Sequence, residues 1–140
     1  LIIKIRIYIF GGGRLRGRDS MITSAITSQA DLKQNPKELH LSKVTYATPN
    51  LVPEARTYHA SCLVNQFMIV IGGEANSDLK DFWALNLDTN CWFKPQVEGF
   101  NTYTGKRFHT ASTISNSKVI TFGGCHSEYV HMNEMHIFDL

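Results

Sequence analysis

The sequence predicts an all-β chain built from repeated units of four short antiparallel strands. Three observations carry that reading. Apolar runs are short and stop at turn residues, as strands do. One such run ends on a glycine pair three times: IYIFGG at residues 7–12, IVIGG at 69–73 and VITFGG at 119–124. The segments around those pairs repeat as well. The pair moves by 51 positions between Gly72 and Gly123 and by 61 between Gly11 and Gly72. A period near fifty holding about four strands is the arithmetic of a propeller blade.

Taken in order, residues 1–10 alternate Ile3, Ile5, Ile7 and Ile9 with Lys4, Arg6, Tyr8 and Phe10, which is a strand. An insertion near 14–35 follows. It opens on Arg14, Arg16 and Arg18 and continues rich in Ser and Thr. It reads as a flexible excursion or a short helix over 21–32, and its polarity favours mobility. Glu38-Leu39-His40-Leu41 then resembles the third strand of the later copies. The complete unit comes next. Residues 58–64 can be extended, 67–71 are almost wholly apolar, 74–80 form a polar loop, 82–87 are apolar again, and Asp88-Thr89-Asn90 turns the chain into Cys91-Trp92-Phe93. Residues 93–106 form a bridge with Pro95, Gly99 and Gly105 at turns, and Phe100 and Tyr103 are expected at its exposed tip. Residues 114–118 suit a tight hairpin on Ser115-Asn116-Ser117. Upstream of the pairs, Arg56-Thr57-Tyr58-His59-Ala60-Ser61 aligns with Arg107-Phe108-His109-Thr110-Ala111-Ser112, which puts the third copy's His one place early. Downstream, the segment from Asp81 matches the segment from Glu134.

On these residues the chain resembles the kelch-repeat β-propeller family. The resemblance rests on Arg56, His59, Gly72, Gly73, Asp81, Trp83 and Trp92 in the middle copy, and on Arg107, Gly123, Gly124, Glu134 and His136 in the third, with His109 one place out of register. Trp is missing from the first copy's fourth strand. The expected organisation is one incomplete kelch propeller over 1–140: a partial blade at 1–54, a complete blade at 55–105 and a partial blade at 106–140, as in a fragment of a larger protein. Arg56 with Asp81, and Arg107 with Glu134, are expected to pair their charges. The resemblance implies a protein–protein interaction or scaffold module, completed by further blades from the same or a partner chain. Parent proteins of this kind include ubiquitin-ligase adaptors, cytoskeletal or ciliary scaffolds and phosphatases.

Composition sets the outer bounds. A net charge of +2, dispersed along the chain, carries no nucleic-acid footprint. No apolar run reaches the length of a transmembrane helix. Three widely spaced cysteines, Cys62, Cys91 and Cys125, read as free thiols, which with the lack of an Asn-x-Ser/Thr sequon fits a cytoplasmic location.

In an up-and-down sheet of four strands, the second-to-third loops and the blade-to-blade connections share one end. Those loops are the expected partner-binding surface. The candidates are Arg14, Arg16, Arg18, Asn76, Asp78, Phe100, Tyr103, His126, Glu128 and Tyr129. Cys125, His126, Glu128, His131, Glu134 and His136 include zinc- and iron-binding residue types. Glu134 and His136, however, fall on the repeat's own positions, so neither a metal, a cofactor nor a catalytic residue is expected. The alternative is a metal-dependent propeller enzyme, oxidase or specifier-like, for which this cluster is the material. Gly11-Gly12-Gly13-x3-Gly17 lacks the Lys and Ser/Thr of a phosphate loop.

Overall fold

The computed structural model describes residues 5–11, 27–32, 41–127 and 130–140. They form antiparallel sheets and, among the described residues, no α-helix. The first sheet holds β1 (Ile5–Phe10), β2 (Thr27–Leu32) and β3 (Leu41–Lys43), in that order. The second holds β4 (Ala60–Val64), β5 (Phe67–Ile71), β6 (Phe82–Asn86) and β7 (Cys91–Phe93), again in chain order. The third holds β8 (Thr110–Thr113), β9 (Lys118–Phe122) and β12 (Met135–Asp139). Between β9 and β12, β10 (Cys125–His126) and β11 (Val130–His131) make a small hairpin.

The second sheet matches the sequence reading strand by strand except at its start: residues 58–64 are expected to be extended, but Tyr58 has φ 56° and β4 begins at Ala60. Its turns are local. Asn65, with φ 51°, makes the β4–β5 turn, and the Asn86 side chain accepts from the backbone N–H groups of Asp88 and Thr89. The first sheet requires a correction. The strand paired with β1 is Thr27–Leu32, inside the segment expected to be mobile or helical; of the expected strand at 38–41, Leu41 opens β3 and residues 38–40 lie outside the described residues. Ile5 pairs with Leu32 and Phe10 with Thr27, so β1 is paired along its whole length. The polarity of TSQADL pointed to an excursion. The demand of β1's exposed N–H and C=O groups for partners outweighs it.

Both faces of the second sheet are buried. Val64, Ile69, Ile71, Phe82 and Ala84 pack with Val119 and Phe138 of the third sheet and with Tyr103. Met68, Val70, Trp83, Leu85 and Trp92 pack the other way, on Phe10 of the first sheet. Trp92 fills that gap, with its ring 5.2 Å from Phe10 and 6.4 Å from Trp83. The second and third sheets converge along their first strands, where Thr113 Oγ1 donates to the Leu63 carbonyl at 2.5 Å.

A second correction concerns register. Ala60 pairs with Ile71 and Thr110 with Phe122, so Ala60 corresponds to Thr110. Counting back, His59 corresponds to His109, Tyr58 to Phe108 and Arg56 to Lys106. The histidine is therefore in register, and the arginine is the residue displaced. The cause is one extra residue in the third copy's hairpin: two residues separate the paired Val64 and Phe67, while three separate Ile114 from Lys118, whose carbonyl accepts from Ile114 N–H.

The register explains the glycines and the buried cations. Gly72 has φ 57°, and a Cβ there would lie 2.7 Å from the Lys106 carbonyl oxygen and 3.1 Å from His109 Cε1. Gly11 stands in the same relation to Arg56 and His59. Each sheet's histidine thus packs over the glycine that ends a strand of the preceding sheet, where any side chain would collide. Arg56, 1% exposed, donates to Asp81 Oδ1 at 2.5 Å and Oδ2 at 2.8 Å and to the Gly72 carbonyl at 3.0 Å, and Trp83 Nε1 donates to the same carboxylate at 2.9 Å. Replacing Arg56 with Met should lower the intact protein's unfolding free energy by about 3 kcal/mol, because it strands the Asp81 carboxylate. Urea denaturation measures this, and a loss below about 0.5 kcal/mol, the range of a neutral surface change, would remove the clamp from the account.

Candidate partner-binding site at the loop end

Strand direction brings residues 74–80, 103–108 and 125–127 to one end of the second and third sheets. The connection between the sheets does not stay there. Glu98 pairs with Asp139, at the far end of β12, and the chain returns through the 3-10 turn Phe100–Thr102. Phe100 and Tyr103 consequently point inward, against the expectation that they sit at an exposed tip. Tyr103 is fully buried and Phe100 half-buried, stacked at 5.4 Å and packed on Phe138. Removing two aromatic rings from water outweighs the looping tendency of the bridge.

The loops are tied to one another at this end. Arg107 does not reach Glu134, contrary to the expected pairing. Its register places it opposite the preceding loop, where Nη1 pairs with Glu74 and Nε lies 3.5 Å from Asp78 Oδ1. Its Nη2 donates to the Ser127 carbonyl at 3.2 Å. Ser127 N–H donates to Asp78 Oδ2 at 2.5 Å. His126 Nδ1 lies 2.7 Å from the Gly105 carbonyl, which can only accept, so Nδ1 carries the proton. Asp78 is therefore engaged inside the network, while Asn76 is exposed and His126 keeps an exposed ring. Arg14, Arg16, Arg18, Glu128 and Tyr129 lie outside the described residues. Cys125 pairs with His131 in the small hairpin, whereas His136 turns inward and stacks on Phe138, apart from that hairpin. Among the described residues no three His, Cys, Asp or Glu side chains are grouped to hold a metal ion.

Two residues of this surface were not among the sequence candidates. Tyr58 and Phe108 occupy equivalent positions, have φ of 56° and 58°, and pack with ring centroids 4.2 Å apart and planes tilted by 35°. The signal was an aromatic immediately before each repeat histidine, and it surfaces only once the histidines are aligned.

Beneath the surface lies the third sheet's counterpart of the Arg56 clamp. Lys106 is fully buried, with Nζ 3.4 Å from His136 Nδ1. Burial pulls the lysine's pKa down, and the Glu134 charge opposes that pull. Burial and then the Lys106 charge lower His136, again against Glu134. A neutral His136 is the form that can accept from the lysine ammonium. Burial, with a further contribution from the Lys106 charge, depresses His109 to about 4. A histidine held below its unfolded value of 6.5 is neutral in the folded protein, and the unfolded chain takes up the proton first. Its contribution is complete above pH 6.5 and is lost as pH falls toward 4, by up to about 3 kcal/mol. His109→Gln should flatten the fall in stability across that window, read from denaturation midpoints at several pH values; an unchanged slope would assign the acid sensitivity elsewhere.

Comparison with known proteins agrees with this architecture. The KLHDC2/KLHL20/DRC7 Kelch-repeats domain model matches residues 1–140. The chain is 34% identical over 92 residues to tRNA wybutosine-synthesizing protein 2/3/4 of Arabidopsis thaliana, covering 64% of this chain and 9% of that protein. It is 35% identical over 83 residues to human Host cell factor 2, covering 55% of the chain and 10% of the relative. It is 30% identical over 142 residues to Tip elongation aberrant protein 1 of Schizosaccharomyces pombe, covering 96% and 11%. The chain thus spans about a tenth of each of these relatives. Kelch repeats generally serve as protein-interaction modules. No helix among the described residues is long and apolar enough to cross a membrane, which says nothing of β-barrels. With its glycine-terminated strands, its buried cation in each of two successive sheets and the family match along its whole length, the chain belongs to the Kelch-repeat family.

Proposed function

We propose that this chain is a protein–protein interaction module, part of one kelch propeller whose blades fall at 1–54, 55–105 and 106–140, and that it holds partner proteins at its loop end. Remaining blades are supplied by the same chain or by a partner chain. The unbonded Cys62, Cys91 and Cys125 fit a cytoplasmic setting.

The observation that carries this reading is the Arg107 network. It joins loops of two consecutive sheets into one surface, through Glu74, Asp78 and Ser127. Recognition favours loops already ordered before the partner arrives, because less entropy is lost on binding. At the opposite end the connections are short turns, such as Asn65-Gln66 between β4 and β5, which offer little side-chain surface. Asn76 and His126 are the exposed polar candidates on the loop end, and Arg14, Arg16, Arg18, Glu128 and Tyr129 belong to the same proposed surface by chain position.

A photo-crosslinking amino acid placed at Asn76 in the intact protein should capture its protein partner, whereas the same group at Asp88, in the β6–β7 turn at the opposite end, should not. Capture from Asp88 alone would place binding at the wrong end and reject the reading.

A further inference from the structure

We propose that Tyr58 and Phe108 form an aromatic platform that receives an arginine side chain of the partner protein. This deepens the loop-end reading and rests on it.

The backbone supplies the first observation. Both residues have φ between 56° and 58°, in the left-handed region where glycine fits freely and a bulky side chain is strained. The strain recurs at the same place in two consecutive sheets, so it belongs to the repeat's geometry. An aromatic ring at that place is the choice of this sequence.

Core packing does not account for the rings. Tyr58 is 43% exposed and Phe108 58% exposed. Isolated exposed aromatics need no explanation, but these two are in direct contact. Their ring centroids lie 4.2 Å apart with the planes tilted by 35°, and Phe108 N–H donates to the Tyr58 carbonyl at 3.0 Å, which locks one to the other across the sheet boundary. The result is a rigid, two-ring surface on the loop end.

The electrostatic setting selects the occupant. The guanidinium carbon of Arg107 lies 5.9 Å from the Phe108 ring centroid, so that ring already accepts a guanidinium. Among the described residues, two carboxylates, Glu74 and Asp78, face one permanent cation, Arg107, and His126 Nδ1 lies 3.5 Å from Asp78 Oδ2, so negative charge is in excess of permanent positive charge there. The Glu74 side chain is 30% exposed and reachable from solvent. A planar, weakly hydrated guanidinium can lie on a ring and direct its N–H fork at a carboxylate, whereas a lysine ammonium is a compact, strongly hydrated charge. An acidic side chain would be repelled by the same excess.

The test is an NMR titration of the intact protein with acetyl-Gly-Arg-Gly-amide and its Lys, Leu and Glu counterparts, following the ring resonances of Tyr58 and Phe108. The Arg peptide should shift both rings saturably and bind at least fivefold tighter than the other three. In the Tyr58→Gly/Phe108→Gly variant, its affinity, read from backbone amides of residues 74–78, should fall at least tenfold. Glycine relieves the strained φ, so this variant should melt no lower than the parent, and a lost signal cannot be put down to unfolding. Equal binding of the Leu or Glu peptide, or undiminished binding to the double variant, overturns the platform. Persistent partner crosslinking from Asn76 in the double variant would also reject it while leaving the loop-end reading intact; no crosslinking from Asn76 in the parent would reject that reading itself.

Discussion

A sheet that is apolar on both faces must be covered on both faces, and every other feature of this chain follows from that constraint. β5 states it most plainly. Met68 and Val70 point one way, Ile69 and Ile71 the other, and all four are buried. Full burial of one such side chain contributes about 1.5–3 kcal/mol, so two inter-sheet clusters outweigh any set of surface ion pairs, each worth about 1 kcal/mol or less. The sheets therefore stack, and the second and third converge along their first strands. At Gly11 and Gly72 the approach leaves no room for a side chain, because a histidine of the next sheet occupies it.

Close stacking traps polar groups, and the repeat deals with them by enclosing a cation. In the second sheet that cation is Arg56, whose planar fork meets the Asp81 carboxylate through two hydrogen bonds and a backbone carbonyl through a third. In the third sheet Lys106 takes the same place, with His136 standing where Trp83 stands and Glu134 where Asp81 stands. The two solutions are not equivalent. Arginine keeps its charge at any accessible pH, while a lysine beside a histidine is a titratable assembly. One fold thus carries a clamp of fixed charge and one built from titratable groups in adjacent units.

The same stacking builds the loop end. Moving Arg107 one position away from the buried cation site frees it to reach back to Glu74 and Asp78 of the preceding unit. A residue that would have stabilised one sheet internally instead fastens two sheets to each other and holds their loops in place. The rings of Tyr58 and Phe108 stand on that fastened surface, and their strained backbone is sustained by the hydrogen bond between them and by the paired strands they lead into.

The sequence by itself determined the class of fold, the four strands of the second sheet, the glycine-terminated ends and the Arg56–Asp81 pair. These depend on local alternation, on turn residues and on spacing within one unit, all of which are written in consecutive residues. Tertiary structure decided what depends on partners elsewhere in the chain. It drew Thr27–Leu32 into a strand because β1 needed pairing, despite the segment's polarity. It turned Phe100 and Tyr103 inward because the gap between sheets had to be filled. It also set the true register of the third unit, since one additional hairpin residue shifts every upstream position yet leaves the alternating pattern of the strands readable either way. The surface formed by Tyr58, Phe108, Arg107 and Asp78 became visible only with that register, because side chains fifty residues apart share a face only after the sheets have packed.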